Sequence, residues 1–494
     1  MIAAKRTLGD RIDKAGKFVG VADLHDLTAL QLAAALRSRA TSALELVEHY
    51  LDRIDRTGPG LGAFVTVTAD RARAQARSAD AASVGDRSKL PLLHGIPIAI
   101  KDLTSTAGVR TTFGSVVFAD FVPEYNDDVV DFLAAAGTIS LGKTNAPEFG
   151  LACYTENRLG PPARSPHDTN RMAGGSSGGA AAAVAAGLLP FAHGTDGGGS
   201  LRIPASMCGL VGLKTSRGLI SRGPVGSDVL GMSVTGPLAR TTADAAALLE
   251  VMTVPVHSEP FFAAGVRPAP GALIAASRQD PRPLRIGRSL DTPVPGVVID
   301  PEVRTAYEAT TDLLVALGHE VVDLALPDPP GMVDAFLQVW AAFAHGMPLP
   351  PDVGDQLMPL TRYLLARGAT ISGPELVRAL GTVQSSGRVL VRAMLGCDVV
   401  LTPTVALLPP RVGYFTDEPD PADDFTKQLR FTPWTAQINV TGQPAINVPL
   451  QWTTDGVPIG MQFIGRSGDE ATLLSLCGQL ERAQPWQERK PPVW

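Results

Sequence analysis

Residues 174–216 read GGSSGGAAAAVAAGLLPFAHGTDGGGSLRIPASMCGLVGLKTS. A loop of glycines and serines opens into an Ala-rich helical segment, GGAAAAVAAG. A strand candidate follows, LPFAHGTD, then a second break at Gly197-Gly198-Gly199, then another strand candidate, CGLVGLKTS. Strands and a helix alternating through glycine loops predict an α/β fold with a mixed central sheet covered by helices. The same texture extends upstream, with HGIPIAIKD (94–102) as a strand, DDVVDFLAAAG (127–137) as a helix ended by Gly137, and TISLGKT (138–144) as a strand. Downstream, SVTGPLARTTADAAALLEVM (233–252) reads as a turn, an N-cap and a helix. PLRIGRS, HEVVDLAL, CDVVLTPT, GQPAINVPLQW and VPIGMQFIG read as further strands.

Before this region, residues 28–82 read as mostly helix. Ser42 or Thr41 with Glu45 makes a capping-box pattern, and Gly58-Pro59-Gly60 is the expected stop. Residues 255–283 are rich in Pro, Ala and Gly and read as a surface loop. Residues 331–395 read as a helical excursion. The expected organisation is an N-terminal helical segment, 1–80, packed on one large α/β domain, 81–494.

Of 494 residues, 45% are hydrophobic and 19% are charged, with a net charge of −6. No basic face of the kind nucleic-acid binding needs is expected. The longest uncharged stretch, Met172–Ala192, is mostly Gly, Ser and Ala, a poor membrane span. The opening MIAAKRTLGDRID lacks the apolar core of a secretory signal, and Cys153, Cys208, Cys397 and Cys477 are scattered. A cytoplasmic protein, monomer or homodimer, is expected. No His pair shares a helical face, so neither a metal nor a cofactor is expected.

Two motifs match by letter. Gly137–Thr144 fits a phosphate-binding loop, but a helix precedes it and Pro147 follows, the reverse of the order the motif needs. Gly175-Ser-Ser177-Gly-Gly179 fits a nucleophile elbow, which would make Ser177 the centre of a Ser-His-Asp esterase. The downstream histidines available to it, His193, His257, His319 and His345, are scattered.

The chemistry gathers instead in the two glycine-serine loops, 174–179 and 194–202. Consecutive glycines before Ser200 present free N–H groups toward one point, as an oxyanion needs. A serine needs a base, and with histidine unsupported the candidate is a lysine desolvated at a strand end. Lys101 ends such a strand, and Lys143 and Lys214 are rivals on the same logic.

HGIPIAIKD, GKTNAPEFG, GGSSGG, GTDGGGSLRIPASMCGLVGLKTSRG and GQPAINVP together resemble the amidase signature family, from about residue 23 to the C-terminus. The resemblance implies Ser200 as the acyl-forming nucleophile, Ser176 as a bridging serine behind a cis peptide, and Lys101 as the base. It implies an oxyanion hole from the backbone of Gly197, Gly198, Gly199 and Ser200. Ser177 would support the network, and Asp196 and Arg202 would form a structural ion pair. Where the family usually carries a larger residue this chain has Gly197, so a looser loop and a wider adjacent pocket are expected.

In GMVDAFLQVWAAFAHGM, Val333, Phe336, Trp340 and Phe343 recur at helical spacing. The stripe is either core or pocket wall, and Phe149 and Trp434 are further wall candidates. No Arg or Lys stands out as a partner for a substrate carboxylate, so the expected substrate is a neutral, fairly hydrophobic small-molecule amide or carbamate. Within the family the sequence resembles bacterial hydrolases of aryl or aliphatic amides, cyclic amide oligomers and carbamates. The alternative is the A-type component of a glutamyl-tRNA amidotransferase, whose usual Met-Asp before Glu-Phe is here Ala146-Pro147.

Overall fold

Short apolar, β-branched runs bounded by Gly, Pro or Asn become strands when a partner lies alongside. In the computed structural model, residues 23–226, 228–261, 268–417 and 419–494 are described. The first part of the expected N-terminal segment, residues 1–22, lies outside them.

Among the described residues the strands are β1 Phe64–Val67, β2 Pro97–Lys101, β3 Ile139–Thr144, β4 Arg164–Ser165, β5 Asp168–Met172, β6 Phe191–Asp196 and β7 Val211–Lys214. They continue with β8 Val234–Ala239, β9 Arg285–Arg288, β10 Glu320–Asp323, β11 Val399–Pro403, β12 Ala445–Trp452 and β13 Pro458–Gly465. Eight of them form one sheet in the order β10-β9-β11-β13-β12-β7-β8-β6. Its β10-β9-β11 edge is parallel and the rest is antiparallel, so the sheet is mixed. A smaller sheet, β1-β3-β2, runs beside it, with β2 parallel to β3 and β1 antiparallel. The protein is an α/β molecule built on this large mixed sheet with helices around it.

β2, β7, β8, β11 and β13 are buried at every position. Strands covered on both faces carry continuous apolar runs rather than alternation, which is why β2, β7, β11 and β13 are readable as strands. The helix Gly178–Ala185 is buried throughout as well. Its alanines and glycines allow backbone-to-backbone approach, and a Cβ on Gly179 would sit 2.4 Å from the Asn145 nitrogen.

Four local readings change. The helix from Ala43 runs through Pro59 and ends only at Gly62, with φ 57. Pro59 lies in the last turn, where the one hydrogen bond it forfeits costs least. Within the stretch read as helical, Phe64–Val67 is a strand because β3 pairs with it. Residues 234–239, read as a turn, are β8, paired with β6 from Asp196↔Val234 to Phe191↔Ala239. The loop expected at 255–283 contains a helix, Ala272–Arg278.

Candidate active site

Lys101 is the last residue of β2 and is fully buried. Its backbone N–H donates to His193 Nδ1 in β6 at 3.3 Å, which ties the small sheet to the large one. Its Nζ donates to Ser176 Oγ at 2.7 Å and to Thr195 Oγ1 at 2.9 Å. Burial holds the Lys101 amine well below the ordinary lysine range. Asp196 opposes that shift and the Arg222 guanidinium adds to it. A neutral amine beside a hydroxyl is a proton acceptor at physiological pH.

The rival lysines are engaged elsewhere. Burial brings Lys143 down to about 8, and its Nζ bonds the Thr104 carbonyl and Thr111 Oγ1. Lys143 belongs to β3, so the phosphate-loop letters fall on a buried strand. Burial brings Lys214 down to about 7, and its Nζ bonds the carbonyls of Thr215 and Gln443. Neither amine bonds a serine. His193 is buried and held down to about 3 by desolvation, and its Nε2 has no partner. It bonds no serine, and Ser177 Oγ donates to the Thr195 carbonyl at 3.2 Å, so no Ser-His pair forms around Ser177.

The Gly175–Ser176 peptide is cis. Ser176 is 2% exposed and Ser200 is 8% exposed, and both line one cavity of about 520 Å³. The Ser177 N–H donates to the Ser200 carbonyl at 3.3 Å, which joins the two serine loops.

Asp196, at the end of β6, holds the loop that carries Ser200. Its Oδ1 accepts from the Gly199 N–H at 2.8 Å and its Oδ2 from the Leu201 N–H at 3.1 Å. Arg202 binds both oxygens, through Nη2 at 2.8 Å and Nε at 3.0 Å. Burial alone would raise this carboxyl, but Arg202, Lys214 and Asn439 hold it far below the usual range.

The oxyanion set therefore needs one correction. The Gly199 N–H is committed to Asp196, whereas among the described residues the N–H groups of Gly197, Gly198 and Ser200 donate to no protein acceptor. Gly199 has a different task. With φ 132 and Thr435 Oγ1 2.5 Å from where a Cβ would lie, only glycine fits there.

Phe149, Trp340 and Phe343 line the cavity with Phe113. Phe336 stands behind the wall, stacked on Trp340 at 5.6 Å between ring centroids. Trp434 is not a wall residue: it is fully buried, with its indole N–H on the Asp291 carbonyl at 3.0 Å. The pocket beside Gly197 is not wider either. The Trp340 ring lies 3.5 Å from where a Gly197 Cβ would be, so the indole fills the space a larger residue would take.

Charged groups that the sequence reading misses also line the cavity: Asp127, Arg222 and Asp228. Arg222 lies on the cavity without standing out in the sequence, and its Nη1 is matched by Asp228 and the Ser233 carbonyl. Thr195, the second partner of Lys101, is missed as well, although it lies inside GTDGGGS. In sequence Asp127 reads only as a helix start, and Arg222 lies outside the glycine loops.

A family model described as Amidase matches residues 45–474. The chain belongs to the amidase signature family. It is an enzyme of the amidase class. This family member is 39% identical over 484 residues to AmiB2 of Mycobacterium bovis, a presumed amidase, covering 95% of this chain and 100% of that one. It is 36% identical over 503 residues to the A-type component of the glutamyl-tRNA(Gln) amidotransferase of Roseiflexus castenholzii, covering 95% of this chain and 98% of that one. Among solved structures, 6-aminohexanoate cyclic dimer hydrolase superposes with a TM-score of 0.87 at 29% identity, covering 96% of this amidase and 100% of that chain. Among the described residues no group of His, Cys, Asp and Glu is arranged to hold a metal ion, and no helix is long and apolar enough to cross a membrane.

Proposed function

We propose that this amidase hydrolyses a small amide or carbamate through an acyl-enzyme on Ser200, with Ser176 as the proton relay and Lys101 as the base. The observation that carries the reading is the 2.7 Å hydrogen bond from the buried Lys101 amine to Ser176, in the cavity that Ser200 also lines. Neutral Lys101 accepts the Ser176 proton as Ser176 accepts that of Ser200. The Ser200 oxygen then bonds to the substrate carbonyl carbon. The N–H groups of Gly197, Gly198 and Ser200 stabilise the oxyanion, each donor contributing about 2.7–4 kcal/mol. The C–N bond breaks, the amine departs with the relayed proton, and water cleaves the Ser200 ester to release the acid. The apolar part of the substrate lies on Phe113, Phe149, Trp340 and Phe343.

A fluorophosphonate is expected to label Ser200 covalently. Ser200→Ala is expected to lose both labelling and turnover, by about 10³-fold or more, with its circular dichroism unchanged. Parent-rate turnover by that variant overturns the assignment.

The amidotransferase reading has comparable relatives in its favour. Ala146-Pro147 in place of Met-Asp speaks against it. Turnover of an aryl amide, an aryl carbamate, a cyclic diamide and glutamine, measured side by side, separates the readings, with preference for glutamine favouring the amidotransferase.

A further inference from the structure

Asp127 precedes the helix Asp128–Ala135 in the N-cap position, yet its side chain makes no cap hydrogen bond. A residue type that caps helices well and does not cap is held by something else. Here Oδ2 accepts the Ser105 N–H at 2.9 Å, and the residue lines the cavity. Oδ1 accepts no hydrogen bond from the described residues.

The neighbouring charges fix the sign of what this oxygen takes. Arg222 is the cation on the same wall, and its Nη1 is matched by Asp228 Oδ2 at 3.6 Å and the Ser233 carbonyl at 3.2 Å. Its backbone N–H goes to Glu259 Oε2 at 3.0 Å. Lys143, behind the wall, faces Asp102 at 3.9 Å. Asp128 adds a further negative charge, bonded to the Ser221 hydroxyl at 2.6 Å. With Lys101 neutral, the carboxylates on this side outnumber the cations. Burial, with a contribution from Asp128, raises the Asp127 carboxyl to about 6 against the opposing effects of Ser105, Lys143 and Arg222.

We propose that Asp127 is a specificity residue that receives a protonated amine carried by the substrate at a distance from the scissile amide, in the cavity that the aromatic side chains also line. The inference rests on the amidase reading of the same cavity and names the substrate class within it: amides bearing a remote ammonium group. The ammonium donates to Asp127 Oδ1 while the aliphatic linker crosses the cavity.

The test uses 4-nitroanilides of heptanoic acid, 6-aminohexanoic acid and hexanedioic acid. These are nearly isosteric acyl chains ending in methyl, ammonium and carboxylate. A second pair, N-hexylbenzamide and N-(5-aminopentyl)benzamide, places the ammonium on the leaving arm. In the wild type, kcat/KM is expected to favour the ammonium member of at least one pair by about tenfold or more, the scale of one charge-assisted hydrogen bond. The ratio falls to about one in Asp127→Asn. In the wild type it also falls as pH drops through about 6, where the carboxyl protonates while the amine stays charged. Equal rates within both pairs, a preference for the carboxylate probe, or a preference that survives Asp127→Asn and acid overturns the inference while leaving the amidase reading intact. If no probe turns over, fluorophosphonate labelling of Ser200 decides the acyl-enzyme reading, and binding becomes the readout for the subsite. Thermal stabilisation by hexylammonium but not by hexanol then supports the ammonium subsite, and equal effects overturn it.

Discussion

A lysine amine buried at the end of a strand behaves as a different functional group from a lysine on the surface. Lys101 lacks a carboxylate partner at bonding distance, and its donors meet a hydroxyl and a threonine. Its burial favours the uncharged form. The proposed relay requires that form, so the sign of the pH effect follows. Below the depressed pKa the amine is protonated and kcat/KM falls. Above it the profile is flat, whereas an unperturbed lysine would leave the rate still climbing toward pH 10. A kcat/KM profile for a neutral aryl amide, measured from pH 5 to 10, checks this. A rate that keeps climbing through pH 9 counts against Lys101 as the base.

Between elements, the contact that shapes the cavity beside Gly197 is that of the Ser200 loop with the helix Met332–His345. Trp340 lies on Gly197 at ordinary van der Waals distance from where a Cβ would stand. Gly197→Ala is therefore expected to keep kcat/KM within about threefold. Gly197→Ile places further carbons into the indole, and overpacking of this kind costs about 1–3 kcal/mol. Its KM is expected to rise, with Trp340→Ala in the same chain relieving the effect, and steady-state kinetics of the double-mutant cycle measure the coupling. The helix is legible from its apolar spacing, and the stripe divides between wall and core in a way spacing does not encode. Trp340 and Phe343 face the cavity while Phe336 packs behind, because the excursion docks at an angle fixed by distant partners. β8 is illegible for another reason. Gly236 and Pro237 punctuate like a turn, but β8 shares only Leu238 and Ala239 with β7, so Pro237 lies beyond that ladder and opposes His193 in β6.

Across the whole molecule, Arg202 binds the Ser200 loop to the sheet. Besides Asp196, its guanidinium donates to Gln462 Oε1 in β13 at 2.6 Å, Asn439 Oδ1 at 2.7 Å and the Thr435 carbonyl at 3.0 Å. Arg202→Met leaves Asp196 buried and unpaired, at a cost of about 3–5 kcal/mol. Arg202→Lys is expected to recover little of it, since a single ammonium lacks the planar fork that meets these acceptors. Urea unfolding of both variants measures the loss, and wild-type stability in Arg202→Lys contradicts the reading. The glycine loops, the lysine strand and this ion pair are readable because each leaves its mark within a few consecutive residues. The charged wall is not. Asp127 and Arg222 meet only when residues 105, 127 and 222 converge on one cavity, a long-range placement without a local mark.

The amine and its serine sit 75 residues apart in sequence, on β2 of the small sheet and on the loop that opens the helix Gly178–Ala185 ahead of β6 of the large one. A half-assembled chain thus holds each ingredient and no reactivity. On the proposed relay, covalent capture by a fluorophosphonate works as a clock for docking, starting only when one layer settles on the other.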